Sequence, residues 1–421
     1  MWALVDCNSF FCSVERAFHP GLGSKPVCVL SSNDGCIVAL TPEAKRLGLR
    51  RGDPLFKVRD IVERGGVTLF STNMMLYAAM SRRVTNILRR SIAHVENYSI
   101  DESFCDLRGY SHYHDLEGLM RSIAQRIRLW TDIPVSVGVA PSKTLAKMGS
   151  RFAKQYAGYR SVCLIDSEEK RLKALELCPL EDVWGIGRNT LKQLQEYGIH
   201  SPLQLANQSE GWVKSRFPLP LQRTWRELNG IDCIDTSETL HRQSICTSRS
   251  FGQMVSRLEE LRPAVATFAT SCANKLRGQQ SAARSVGVFV MSNRFSTDLP
   301  FYSRMESLLL PVHTADTPEI VQAAQKLLDQ IYRPGVHYKK AGVILGDILP
   351  LREVQPDLFD PLPNRMQRYR LMQTIDRLNR RYGTHTVQLA ALGNRSDTWT
   401  TKCEQRSPNY LTDLNELLTV H

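Results

Sequence analysis

The stretch HVENYSIDESFCDL, residues 94–107, decides the fold. It reads as two short strands, residues 94–100 and 103–107, meeting at a turn that sets Asp101 beside Glu102. A helix follows over residues 115–130, where Leu116, Leu119, Met120, Ile123, Ile127 and Trp130 recur at steps of three and four. A strand over 133–139 comes next. Upstream, residues 2–7 and 26–31 read as strands, the first ending at Asp6 and Cys7. Strands and helices in this order predict an α+β layer, a sheet with helices on one face.

Outward from there the pattern changes three times. Residues 166–230 are wholly helical, with Gly185-Ile186-Gly187 opening a helix that runs to Tyr197 and stops at Gly198. Strands return at 245–250, 285–291, 307–310 and 341–348, separated by helices near 257–277 and 319–331, which predicts a second, smaller α+β domain. Pro350, Pro356, Pro361 and Pro363 mark a linker. A basic amphipathic helix then spans 364–382, capped by Asn364 and ended by Gly383, and Leu411, Leu414, Leu417 and Leu418 follow Ser407-Pro408.

Composition narrows the function. The 421 residues carry 54 Lys and Arg against 42 Asp and Glu, a net of +12. Such an excess favours a polyanionic partner, nucleic acid before membrane. No apolar run approaches the ~20 residues of a membrane span. Met1 to Asp6 lacks the basic start of a signal peptide. Eleven cysteines, none spaced Cys-x-x-Cys, argue against a disulfide framework or a cysteine zinc site and suit a reducing cytoplasm.

Adjacent acids at a hairpin tip can reach one point above the sheet, and Asp6 at a neighbouring strand end would complete an all-oxygen site of the kind Mg²⁺ takes. Two such ions clamp the attacking and leaving oxygens of a phosphoryl transfer. Three unpaired carboxylates this close repel one another without cations. The other reading of acids in strand ends and turns is a solvated surface.

Three motifs in order carry a resemblance. Asp6-Cys7-Asn8-Ser9-Phe10-Phe11, Ser99-Ile100-Asp101-Glu102-Ser103-Phe104 and Val137-Gly138-Val139-Ala140-Pro141-Ser142-Lys143-Thr144-Leu145-Ala146-Lys147 resemble those of Y-family translesion DNA polymerases over residues 1 to about 350. Ser31-Ser32-Asn33-Asp34-Gly35-Cys36, the run 182–188 and the ending Ser407-Pro408-Asn409-Tyr410-Leu411 are similar to the UmuC type of that family. The resemblance implies a multidomain α+β right hand. Residues 1–17 and 77–165 would be the palm, 18–76 the fingers, 166–235 a thumb with a helix-hairpin-helix, and 240–350 the little finger. A linker at 351–363 would carry a clamp-binding motif, and 364–421 a partner-binding tail.

It further implies an error-prone, template-directed DNA polymerase of the SOS response, working by two-metal nucleotidyl transfer. Asp6, Asp101 and the Cys7 carbonyl would hold the nucleotide's Mg²⁺, and Glu102 would help hold a second. Phe11 would be the sugar gate, and Phe10, Lys45 and Lys154 would serve the nucleotide. Pro42 stands where many members keep a Tyr and Lys45 where they keep an Arg. Lys143, Lys147, Arg151 and Lys154 form a basic stripe on one helix face, ordinarily a solvated one. The small residues 31–36 would roof the base pair loosely and lower fidelity.

Gly185, Gly187 and Arg188 would grip duplex phosphate. Residues 240–352 hold 14 Lys and Arg against 8 Asp and Glu, half the chain's excess. Arg249, Arg294, Lys339 and Lys340 are the phosphate candidates there. Gln355, Leu358 and Phe359 resemble a sliding-clamp peptide. Implied partners are primed template DNA, deoxynucleoside triphosphates, the sliding clamp, a processed UmuD-type dimer and a RecA-type filament, in a cytoplasmic, nucleoid-associated setting. The rivals are a nucleotide cyclase, disfavoured by the duplex-gripping elements, and a non-catalytic DNA-binding scaffold, disfavoured by the three acids.

Overall fold

A computed structural model describes residues 1–110, 115–236, 242–296, 300–355, 357, 360, 362, 364–393 and 399–417. The chain falls into two compact units, residues 1–239 with 404–421, and residues 240–403.

In the first unit the order is β1 (Trp2–Cys7), α1 (Phe10–Phe18), β2 (Val27–Leu30), β3 (Ile37–Leu40), α2 (Pro42–Arg46), α3 (Leu55–Arg64), β4 (Thr68–Ser71) and α4 (Met74–Ser91). Then come β5 (Val95–Asn97), β6 (Glu102–Asp106), α5 (Leu116–Thr131), β7 (Val135–Ala140), α6 (Lys143–Gln155) and β8 (Val162–Leu164). Five helices follow: α7 (Glu168–Leu177), α8 (Arg188–Glu196), α9 (Pro202–Ala206), α10 (Glu210–Arg216) and α11 (Leu219–Leu228).

The main sheet runs β5-β6-β1-β7-β8, antiparallel except for the last pair. β1 is central and apolar but for Asp6. Ala3, Val5 and Cys7 pack with α4 and α5, while Trp2 and Leu4 pack with α6 and α7 to α11. The expected one-sided sheet is therefore corrected: helices cover both faces, because β1 keeps no polar face for water. Gly138 of β7 faces α6 so closely that a Cβ there would lie 2.0 Å from the Ala146 carbonyl oxygen. A second, three-stranded sheet runs β3-β2-β4. Local signals set the helix ends: Asp115 and Ser142 accept cap bonds from Glu117 and Leu145, and Gly198, at φ 75°, follows α8.

The second unit is β9 (Ile245–Val255), α12 (Leu258–Gly278), β10 (Ser281–Ser292), β11 (Ser303–Thr314), α13 (Thr317–Ile331), β12 (Tyr338–Pro350) and α14 (Arg365–Tyr382). Its antiparallel sheet runs β11-β10-β12-β9. Val286, Val288, Val343 and Leu345 bury one face against α12 and α13, and Met305 and Leu309 are exposed. α14 is held to this unit: Asp376 accepts two bonds from Arg277, at 2.6 and 2.9 Å, and Arg368 meets Asp316 at 2.8 Å.

One further expectation is corrected here. Asn364 does not cap α14 with its side chain; it sits at φ 59°, and Arg365 anchors the start on Glu319 at 3.0 Å. The terminal leucines form no α-helix among the described residues. Leu411 packs against the first unit's core, while Leu414 and Leu417 flank one 3-10 turn, exposed. Leu418 lies outside the described residues.

Candidate active site

Strand register builds the acidic centre. Asp6 of β1 pairs directly with Glu102 of β6, on the face covered by α6. Like charges directly opposite on one sheet face destabilise it. Two lysines of α6 offset this: Lys154 Nζ donates to Asp6 at 2.9 Å, and Lys147 Nζ to both oxygens of Glu102 at 2.9 and 3.1 Å. Asp101 turns elsewhere, accepting from Ser99 Oγ at 2.5 Å, while its carbonyl takes the Cys7 N–H at 2.9 Å. Asp101 and Glu102 thus hold different partners in this structure, although the charges of both act on Asp6. β6 begins at Glu102, and strand geometry commits that side chain to the α6 face. Among the described residues, no three His, Cys, Asp or Glu side chains gather as a metal cluster.

Burial holds the Asp6 carboxyl above the usual aspartate range; Lys154 pulls it down, and the charges of Glu102 and Asp101 push it up. Burial also drives the Cys7 thiol far above reach of a thiolate, which leaves its backbone as the group able to serve a cation. The donor set is all oxygen, and two of its three carboxylates already hold a positive partner. That chemistry fits a hard divalent cation.

Beside the acids opens a cavity of about 550 Å³, lined among others by Phe10, Phe11, Lys45, Asp101 and Lys154. Ser9 makes the tight corner from β1 into α1 at φ 47°, a left-handed conformation uncommon outside glycine, and donates to the Leu40 carbonyl at 3.0 Å. This corner brings both phenylalanines under the cavity. Phe10 is buried core, and Phe11 stacks on Tyr77 at 4.5 Å and 16°. Pro42 does not line the cavity; it is the first residue of α2, behind the Thr41 cap, where its fixed φ suits a helix start. Lys45 is exposed one turn later.

The basic stripe on α6 is the largest departure from expectation. It is not solvated. Lys143, 1% exposed, bonds Glu96 at 2.7 Å and lies 4.1 Å from the Trp2 ring; Arg151 meets Asp182 at 2.5 Å. Sequence reasoning also missed Arg50 and Arg51, which line the cavity from the turn after α2. Adjacent arginines before a glycine were the available signal. Lys147 was legible only as part of the stripe, since its partner is 45 residues away.

The remaining candidates are scattered. Gly185, at φ 94°, turns the chain where a Cβ would meet Thr224 Oγ1 at 2.4 Å, so conformation and packing both require glycine there. Gly187 and Arg188 open α8 in free space. Arg249 shares its strand face with Ile245 and Phe251, the core side, and lines a cavity there with Thr247 and Asn274. Lys339 donates to the Phe251 carbonyl at 2.7 Å, and burial lowers its pKa. Lys339 is thereby corrected as a free phosphate contact, whereas Arg249 is exposed. Lys340, on the other face, lies 5.8 Å from the Phe289 ring, and Arg294 is exposed beside Phe295. Gln355 is exposed; Leu358 and Phe359 lie outside the described residues. No helix among the described residues is long and apolar enough to cross a membrane.

Residues 5–151 match the impB/mucB/samB family, residues 242–358 its C-terminal domain, and residues 369–420 a domain of unknown function. The chain is 41% identical to Protein UmuC of Salmonella typhimurium across the full length of both. It is 27% identical to DNA polymerase IV 2 of Halalkalibacterium halodurans over 92% of this chain and 93% of that one. Among solved structures it resembles a Y-family DNA polymerase chimera, Dbh-Dpo4(243-245)-Dbh, at a TM-score of 0.63 and 21% identity, over 83% of this chain and 99% of that one. That likeness shows the fold, a multidomain α+β right hand.

Proposed function

This chain belongs to the impB/mucB/samB family, and from that premise we propose that it is a template-directed DNA polymerase performing translesion synthesis. The observation that carries the reading is the cross-strand pair Asp6 and Glu102, with Asp101 beside it, at the edge of a cavity floored by Phe11 and fringed with cations.

In this reading Asp6, Asp101, Glu102 and the Cys7 carbonyl would hold two Mg²⁺ ions, which when bound lower the pKa of the primer 3′-hydroxyl and neutralise charge on the triphosphate. The chain's own residues do the rest. Lys154 lines the same cavity as Lys45, Arg50 and Arg51, so these four present positive charge to a triphosphate. Lys147 holds Glu102 in place by two bonds. The Phe11 ring, backed by Tyr77, would lie under the sugar and leave no room for a 2′-hydroxyl. Gly187 and Arg188 at the start of α8 would take duplex phosphate, and Lys340 and Arg294 would take backbone charge in the second unit. Gln355, Leu358 and Phe359 would engage the sliding clamp. A processed UmuD-type dimer and a RecA-type filament would complete the working complex, in a cytoplasmic, nucleoid-associated setting.

The test is extension of a primed template carrying an abasic site, with Mg²⁺ and all four deoxynucleotides, by the full chain alone and with processed accessory dimer and recombinase filament. Extension past the lesion supports the reading. DNA binding without synthesis under every condition would return the scaffold.

A further inference from the structure

Beyond α14 the chain rejoins the first unit, and residues 404–410 lie along it as an extended segment. Gln405 accepts from the Ser71 N–H and donates to Ser71 Oγ, both at 2.9 Å, and Arg406 bridges Ser71 in parallel register at the end of β4. The Glu404 N–H donates to Asp34 at 3.0 Å, in the loop expected to roof the base pair. Asn73, fully buried, caps α4 with its oxygen and donates through Nδ2 to the carbonyls of Ser407 and Pro408 at 2.8 and 3.3 Å. Tyr410 stacks on Phe18 at 5.0 Å.

One contact leads inward. Ser407 Oγ donates to Glu15 Oε1 at 3.0 Å, and Tyr77 OH donates to the same oxygen at 2.6 Å. Glu15 has no exposed surface, and its other oxygen is buried without a hydrogen-bond partner. The carboxyl thus relies on two side-chain donors, one from α4 and one from a segment 392 residues away in sequence. A buried acceptor that loses a donor must find another or shift. The group free to shift with it is Tyr77, whose ring supports Phe11.

We propose that residues 404–410 form a positioning strap for the nucleotide pocket: Ser407, through Glu15 and Tyr77, fixes the ring on which Phe11 stacks and so sets how strictly the pocket excludes a 2′-hydroxyl. This rests on the reading of Phe11 as the sugar gate. It gives the terminal part of the region matched as a domain of unknown function a role in substrate selection. Ser407 is a positioning residue, since it touches no cavity wall.

The experiment compares kcat/KM for a deoxynucleotide and the matching ribonucleotide in the full chain with its accessory proteins. The variants are Ser407→Ala, Tyr77→Phe, their double, Ser407→Thr and Phe11→Ala. Removing one hydrogen bond should raise relative ribonucleotide use by about three- to tenfold in each single variant. The double should match the larger single effect, because both act through one carboxyl. Ser407→Thr, which keeps the hydroxyl, should restore selectivity. A purely structural role would lower stability and use of both nucleotides together and leave their ratio unchanged. If Phe11→Ala relaxes selectivity while Ser407→Ala and Tyr77→Phe leave the ratio at the wild-type value, the strap proposal is overturned. If Phe11→Ala itself changes nothing, the gate reading falls and takes the strap with it.

Discussion

Replacing Gly138 with alanine should cost this protein both stability and activity. The added Cβ would lie 2.0 Å from the Ala146 carbonyl oxygen and 2.1 Å from the Ser150 nitrogen, against 3.4 Å for ordinary contact. Both neighbours are helix backbone, so no side chain can turn away. Relief needs α6 and β7 to part by about 1.4 Å. Overpacking of a rigid interior costs about 1–3 kcal/mol or more, and this case belongs at the upper end. A loss of about 3 kcal/mol lowers the melting point of a unit this size by roughly 6–12 °C. The same movement would stretch the Lys147–Glu102 and Lys154–Asp6 contacts, now 2.9 Å, beyond hydrogen-bonding range. A displacement near 1 Å costs about a hundredfold in rate.

Gly149→Ala is the matched control. Its Cβ would meet the Gly138 Cα at 3.1 Å and the Cys163 oxygen at 3.3 Å, a crowding of tenths of an ångström that a helix gain of about 1 kcal/mol offsets. Calorimetry and primer extension on both variants decide the matter. A Gly138→Ala protein that melts with the wild type and extends primers equally well would refute the close seating of α6.

Three further outcomes follow from particular residues. Phe11→Ala should admit ribonucleotides, read as incorporation from a single ribonucleotide; unchanged selectivity would assign the gate to another residue. Burial raises the Glu15 pKa above 4.5, so the fold favours its neutral form, and ionisation costs stability as pH climbs above that value. Glu15→Gln should therefore melt with the wild type near pH 4 and above it at about pH 8; a gap independent of pH would contradict the buried charge. Alanine at Leu358 and Phe359 should remove clamp stimulation and leave basal synthesis intact, and stimulation that survives would place the clamp contact elsewhere.

Strands over 2–7, 103–107 and 133–139 and the helix over 115–130 were legible because apolar runs and three-four spacing report local structure directly. Gly198 announced its helix end in the same way. What local pattern cannot report is the partner of a charge. The α6 lysines looked like a solvated stripe because Glu96 and Glu102 lie 47 and 45 residues away, joined only through sheet register. β1 hid its two-sided burial for a related reason, since a short apolar strand reads alike with one face covered or two. The docking of Ser407 on Glu15 left no local trace, because neither residue is unusual among its neighbours.

The account turns on whether Asp6, Asp101 and Glu102 serve one metal-dependent reaction. The direct measurement is single-nucleotide incorporation at rising Mg²⁺ by the wild type, Asp101→Asn and Glu102→Gln, with duplex binding and melting followed on the same samples. The account predicts Mg²⁺-dependent incorporation in the wild type, none in either variant, and intact folding and DNA binding in both. Incorporation retained by both variants would remove these carboxylates from the chemistry.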